Sequence, residues 1–91
     1  MAKVYDVAVK VVSVKGHCAN GMKPGLEWVV GRHTVDGICH SAFHSMYPYY
    51  RILRYGGSMP FAEDPDSITV CCADPVNNVL FELRRIPKDT S

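Results

Sequence analysis

Residues 37–57 read GICHSAFHSMYPYYRILRYGG, and the rest of the chain takes its place around this stretch. Ile38, Ala42 and Met46, with Phe43, Tyr50 and Leu53 nearby, recur at helical spacing. Pro48 interrupts them, because its ring meets the carbonyl of His44 and disfavours helical geometry at Tyr47. The spacing predicts a helix from 38 to 47, a kink or new start at Pro48, and a second helical piece ended by Gly56-Gly57.

The flanks alternate rather than recur. In KVYDVAVKVVSVK (3–15), Tyr5, Val7, Val9 and Val11 share one face of a strand, while Asp6, Ala8 and Lys10 share the other. From Val12 and Val14 the apolar side switches, which reads as a bulge or strong bend. GHCANGMKPG follows as a loop closed by a type II turn at Pro24-Gly25. Leu26, Trp28 and Val30 alternate as a second strand that Gly31 ends. Beyond the helical stretch, SMPFAEDPD (58–66) is a loop with three carboxylates and two prolines. Ile68, Val70 and Cys72 then alternate in a third strand and Val79, Phe81 and Leu83 in a fourth. The turn-forming ADPVNN between them predicts an antiparallel hairpin, and the tail from 87 to 91 is expected to fray. The order strand, strand, helix, strand, strand implies an α+β domain: a small, mostly antiparallel sheet of about four strands with one Pro-interrupted helical segment packed on it.

Ninety-one residues make a single domain, 1–91, with no room for a second core. Ten basic against nine acidic side chains give a formal charge of +1, so no broad field draws in nucleic acid or anionic lipid. No apolar run approaches the roughly 20 residues that span a bilayer, so no membrane association is expected. The N-terminus alternates where a signal peptide has a compact apolar block. A cytoplasmic location follows as the expectation, and with it four reduced cysteines: Cys18, Cys39, Cys71 and Cys72. Adjacent strand residues point to opposite faces, so Cys71 and Cys72 do not readily pair. Trp28, five tyrosines and the sheet edges are more apolar surface than so small a core hides, which predicts a homo-oligomer, most simply a dimer.

Several residues could carry chemistry. His40 and His44, four apart, share a helix face and could share a metal ion, but the glutamate of a zinc-protease motif is replaced by Ser41, and HxxxH is more often a solvated face. Cys39 lies near a helix N-terminus, where the dipole and unpaired N–H groups stabilise a thiolate; cysteine is equally a small buried hydrophobe. On a regular helix Cys39 and His44 diverge by about 140°, so they converge only if Cys39 precedes the first turn. Cys18, Cys39, His44 and Cys72 suit zinc or another transition metal by ligand type, although no short C-x₂₋₄-C pair marks a zinc site. The tyrosines, Trp28 and Phe43 are usual core or interface material. Arg51 and Arg54 fall on one side of the helix, placed to pair with Glu63, Asp64 or Asp66 or, alternatively, to hold an anion.

GHCANGMKPGLEW, the helical stretch and ITVCCADPVNNVLFELRR together resemble a family of short conserved-hypothetical proteins of bacteria and archaea. Its members have a Gly-x-Cys-x-x-Gly loop, a Cys-x-x-Ala-Phe-His helix, Tyr-Pro-Tyr, Arg-x-Gly-Gly and a Cys-x-Asp-Pro turn. The match runs over nearly the whole chain and falls on Cys18, Cys39, His44, Tyr47, Pro48, Arg54, Gly56, Gly57 and Cys72. Phe61 stands where the family pattern has tryptophan. The family has no established activity, so the resemblance implies no mechanism. It does imply a pocket around Cys18, Cys39, His44 and Cys72, and it leaves Cys71 and His40 outside the pattern.

The leading expectation is a small cytoplasmic domain whose Cys/His-lined pocket binds a small ligand or a transition metal, with Cys18, Tyr47, Arg54 and Cys72 as ligand contacts. The alternatives are a thiol-dependent enzyme with Cys39 as nucleophile and His44 as its partner, and a structural or interaction protein without ligand.

Overall fold

The computed structural model describes residues 4–16, 21–61, 63–72 and 76–87. Four strands and one helix follow in the order β1 (Val7–Val14), β2 (Glu27–Val30), α1 (His40–Arg54), β3 (Ser67–Cys71) and β4 (Val79–Arg85). The strands form one sheet in the order β2-β1-β4-β3, antiparallel at every pairing, and α1 packs on β1, β3 and β4. This is the expected α+β architecture.

Alternation decides which face the helix covers. Val7, Val9 and Val11 of β1, Ile68 and Val70 of β3, and Val79, Phe81 and Leu83 of β4 are all buried, while Lys10 and Thr69 between them face solvent. The apolar side changes where the β1–β4 register shifts between Val11 and Ser13. Val12 is the extra residue of that bulge and stands half exposed. The turn before β2 is closed by the Leu26 amide donating to Lys23 O, with Gly25 at φ +96°. The β3–β4 hairpin pairs Cys71 with Leu80. Its turn residues 73–75 and the tail from 88 onward lie outside the described residues.

The helix answers the sheet with Ala42, Met46, Tyr50 and Leu53, one buried stripe at spacings of four, four and three. Its end is a Schellman motif. Gly57 N–H donates to Ile52 O at 2.8 Å and Gly56 N–H to Leu53 O at 3.2 Å, with Gly56 at φ +83°, where only glycine is unstrained. Pro48 does not break the helix. His40–Arg54 is continuous through it, so the helix does not start anew at Pro48, the second of the two expectations. Pro48 and His44 are both exposed, so the carbonyl that loses its donor does so where water can replace it.

The carboxylates of the 58–66 loop serve β4 instead of α1. Asp64 accepts from Arg84 Nη1 at 2.8 Å, and the Asp66 amide and Arg84 together hold its carboxyl below the ordinary range. Asp66 takes Arg85, whose guanidinium makes five hydrogen bonds of 2.9–3.0 Å: two to Asp66 Oδ1 and one each to Leu53 O, Gly57 O and Pro65 O. Arg85 thus ties the last strand to the end of the helix and to the loop beyond it. Among the described residues no helix is long and apolar enough to cross a membrane.

Candidate functional site

Beside the buried stripe of α1 runs a second one: Phe43, Tyr47 and Arg51 at successive i, i+4 steps, continued by Arg54 and Tyr55. Facing it is the segment that leaves β2. Two anchors hold that segment: the Tyr50 hydroxyl donates to Gly31 O, and Trp28 Nε1 donates to Asp36 O at 3.1 Å. Gly37, at φ +98°, lets the Trp28 indole nitrogen come within 3.1 Å of where a Cβ would stand, so a side chain there would push the indole away. Between stripe and segment opens a cleft of about 460 Å³, lined by Val4, Val30, Arg32, His33 and Thr34 on one side and by Phe43, Tyr47, Tyr50, Arg51, Arg54 and Tyr55 on the other.

Among the described residues three guanidinium groups and no carboxylate line this cleft. Arg51 is exposed; it donates to Tyr47 Oη at 3.1 Å and lies over the Tyr55 ring at 4.9 Å. The hydrogen bond to Tyr47 moves its already high pKa further up. Burial raises the pKa of the Tyr50 phenol, more than Arg54 lowers it, which keeps Tyr50 a donor to Gly31. Phe43, Tyr47 and Tyr50 stack their rings 5.9–6.3 Å apart, so the aromatic wall is one packed unit.

Arg54 has a different environment. Its side chain is 11% exposed, yet its polar contacts are long: Tyr5 O at 3.4 Å and Asp6 Oδ1 at 3.5 Å, the latter on a carboxylate that is itself 60% exposed. The expected pairing of Arg51 and Arg54 with Glu63, Asp64 or Asp66 is not made, because Asp64 and Asp66 are taken by Arg84 and Arg85. A guanidinium has five N–H donors in a planar fork. Arg85, equally buried, fills its fork from the protein, and Arg54 does not.

A second depression of about 440 Å³ continues toward the start of α1, lined by Thr34, Ile38, His40, Phe43, His44, Tyr47 and Pro48. It shares Thr34, Phe43 and Tyr47 with the cleft, so the two form one groove along the helix. His40 and His44, both exposed, find their common face here.

Of the residues singled out from the sequence, Tyr47 and Arg54 come together in the cleft and His44 in the adjoining groove. Cys39 is the N-cap of α1, extended at φ −66° and ψ 151°, with its side chain packed against the core and no cap hydrogen bond. Cys72 lies just past β3. Its Sγ accepts from the Val79 amide at 3.2 Å, and its carbonyl accepts from Asn78 Nδ2, a local lock on the hairpin. Cys18 lies outside the described residues. Among the described residues Cys39, Cys71 and Cys72 form no disulfide. Among the described residues no three His, Cys, Asp or Glu side chains gather as a metal would need, so Cys39, His44 and Cys72 do not form such a group. His44 lines the second depression, and Cys39 sits at the N-cap of the same helix with its side chain against the core.

Arg32, His33, Thr34 and Val4 were not legible as site residues. The one available signal was Arg32-His33, a basic pair directly after the glycine that ends a strand. No family model, curated protein or solved structure matches the chain.

Proposed function

We propose that this chain is a small-ligand-binding domain whose site is the arginine- and tyrosine-lined cleft beside α1, and that the ligand carries an oxyanion. The observation that carries this reading is Arg54: a nearly buried guanidinium on the cleft wall whose polar contacts among the described residues, Tyr5 O and Asp6 Oδ1, are both long. The Arg54 nitrogens that the protein does not bond are open to solvent on the cleft wall, and a carboxylate or phosphate oxygen received in bidentate fashion is the group that best completes a guanidinium fork. Arg51 and Arg32 add positive charge to the same space without an acidic side chain in the lining. The aromatic wall excludes water from one side of the fork, which strengthens each charge-assisted bond. Four positions of the family resemblance support the same place: Tyr47 and Arg54 line the cleft, and His44, Pro48 and again Tyr47 line the groove. Relative to the pocket expected from the sequence, the chemistry moves from thiol and imidazole to guanidinium and phenol.

The test is a titration with inorganic phosphate followed by amide chemical shifts. Saturable shifts are expected at Arg32, Thr34, Arg51 and Arg54. Arg51→Gln, at an exposed position that the fold does not need, should weaken binding by about tenfold, in line with loss of one charge-assisted contact of ~1.5 kcal/mol. Arg84→Gln, on the far strand, should leave it unchanged. An absence of saturable shifts, or equal affinities for wild type and Arg51→Gln, would discard the reading.

A further inference from the structure

The cleft and the depression next to it differ in character and share a wall. The cleft holds Arg32, Arg51 and Arg54; the depression holds Ile38, Phe43, Tyr47 and Pro48 together with the exposed His40 and His44, and Thr34, Phe43 and Tyr47 belong to both. A ligand that was only an oxyanion would use the first and leave the second idle. Resting on the oxyanion reading above, we infer that the ligand is a free phosphate monoester with an unbranched apolar tail. The head lies on the three guanidinium groups and the tail runs along α1 toward its N-terminus.

Charge and shape argue for this class. Three guanidinium groups facing no carboxylate in the lining suit the nearly dianionic head of a monoester, which also offers enough oxygens to engage more than one fork. Asp6, the one carboxylate on Arg54, is 3.5 Å away and mostly exposed, so it can turn to solvent when the head arrives. From Arg51 to Phe43 the helix advances about 12 Å at ~1.5 Å per residue, so the tail must be several methylenes long to reach past Phe43 to Ile38. Each depression alone has the volume of an ordinary small-ligand pocket. Tyr47 is where the two meet: its ring stacks on Phe43, and its hydroxyl accepts from Arg51. It therefore presents apolar surface to the tail and fixes the cation that receives the head.

The experiment is a homologous series measured by calorimetry on the full chain: inorganic phosphate, then butyl, hexyl and octyl phosphate, with octan-1-ol as a tail without a head. Affinity is expected to rise by about two- to fourfold per added methylene, the gain from removing a methylene from water. Octan-1-ol should bind at least a hundredfold more weakly than octyl phosphate. Ile38→Ser should flatten the series. Ile38 also packs against the core, so intermolecular NOEs in the wild-type complex give a check that needs no variant: the octyl methylenes should contact Ile38 and Phe43. Sedimentation with phosphatidic acid vesicles should leave the protein in the supernatant. A flat series, equal binding of octan-1-ol, NOEs elsewhere, an Ile38→Ser series as steep as wild type, or capture by vesicles would each overturn the inference while the oxyanion reading stood. Failure of inorganic phosphate to bind would remove that reading instead, and this one with it.

Discussion

Arg54, the last residue of α1, and Arg85, which bonds to the end of that helix, are both 9% exposed, yet of the two it is Arg85 whose fork the protein fills. Removing Arg85 leaves the Gly57 carbonyl without its side-chain donor and the buried Leu53 carbonyl with the Gly56 amide alone, and it frees Asp66 and the Pro65 carbonyl at the same stroke. Arg85→Met is therefore expected to lose about 3 kcal/mol in urea unfolding, the range for breaking a buried hydrogen-bonded charge. Arg54→Met should behave in the opposite way. It replaces a poorly partnered cation with an apolar side chain of similar volume, a change that is often neutral or stabilising, and the loss should stay within about 1 kcal/mol. A loss as large as that of Arg85→Met would assign Arg54 to the scaffold and weaken the case for the cleft. Arg54 was expected at a ligand site from the chain, whereas the role of Arg85 was not readable. LRR at 83–85 reads as an ordinary strand end turning polar, because what saturates Arg85 is a set of backbone carbonyls 20 to 32 residues away.

At the scale of the element, local signals were reliable wherever the physics was local. The period-two runs gave all four strands, the switch at Val12 gave the bulge, and Gly56-Gly57 gave the stop of α1. Pro48 is the exception, and the reason is informative. A helix tolerates an internal proline when the packing of its buried face exceeds the cost of one missing bond, and Met46, Tyr50 and Leu53 bracket Pro48 on that face. The cost is nevertheless still present in the native state. Pro48→Ala restores an N–H to His44 O at an exposed position, and a gain of about 1–2 kcal/mol is expected, less than the full ~3 kcal/mol propensity difference because the unfolded chain also becomes freer. Thermal unfolding measures it directly. An unchanged or lower melting temperature would mean that the turn around Pro48 is held by the ring itself, packed in the groove beside His44 and Tyr47.

At the scale of the molecule, the order β2-β1-β4-β3 and the cleft share one origin: contacts between segments far apart in the chain. Alternation names the buried face of a strand but not its neighbour, so the hairpin of β3 and β4 was legible and the central pairing of β1 with β4 was not. The cleft draws on Val4, on 30–34 and on 43–55, brought together only once β1 and β2 pair and Tyr5 N–H has docked on Arg54 O at 2.8 Å. Only the helical part of it, Tyr47 and Arg54, could be anticipated. This architecture also grades local stability. β1 and β4 are flanked on both edges and contribute most of the fully buried side chains, whereas β2 is a four-residue edge strand with Val30 alone fully buried, Trp28 half-buried and Val29 57% exposed. Edge strands with few buried contacts open before the global transition, so native-state amide exchange should be slowest at Val9, Val11, Phe81 and Leu83 and measurably faster at Val29 and Val30. Because β2 and the segment after it form one wall of the cleft, a ligand that bridges this wall to α1 binds only the closed form. Phosphate at saturation should therefore slow exchange at Val30 through Thr34 while leaving Phe81 and Leu83 unchanged. Uniform protection across the sheet, or exchange in β2 as slow as in β4 without ligand, would show that the wall is already as rigid as the core and that opening at β2 has no part in binding.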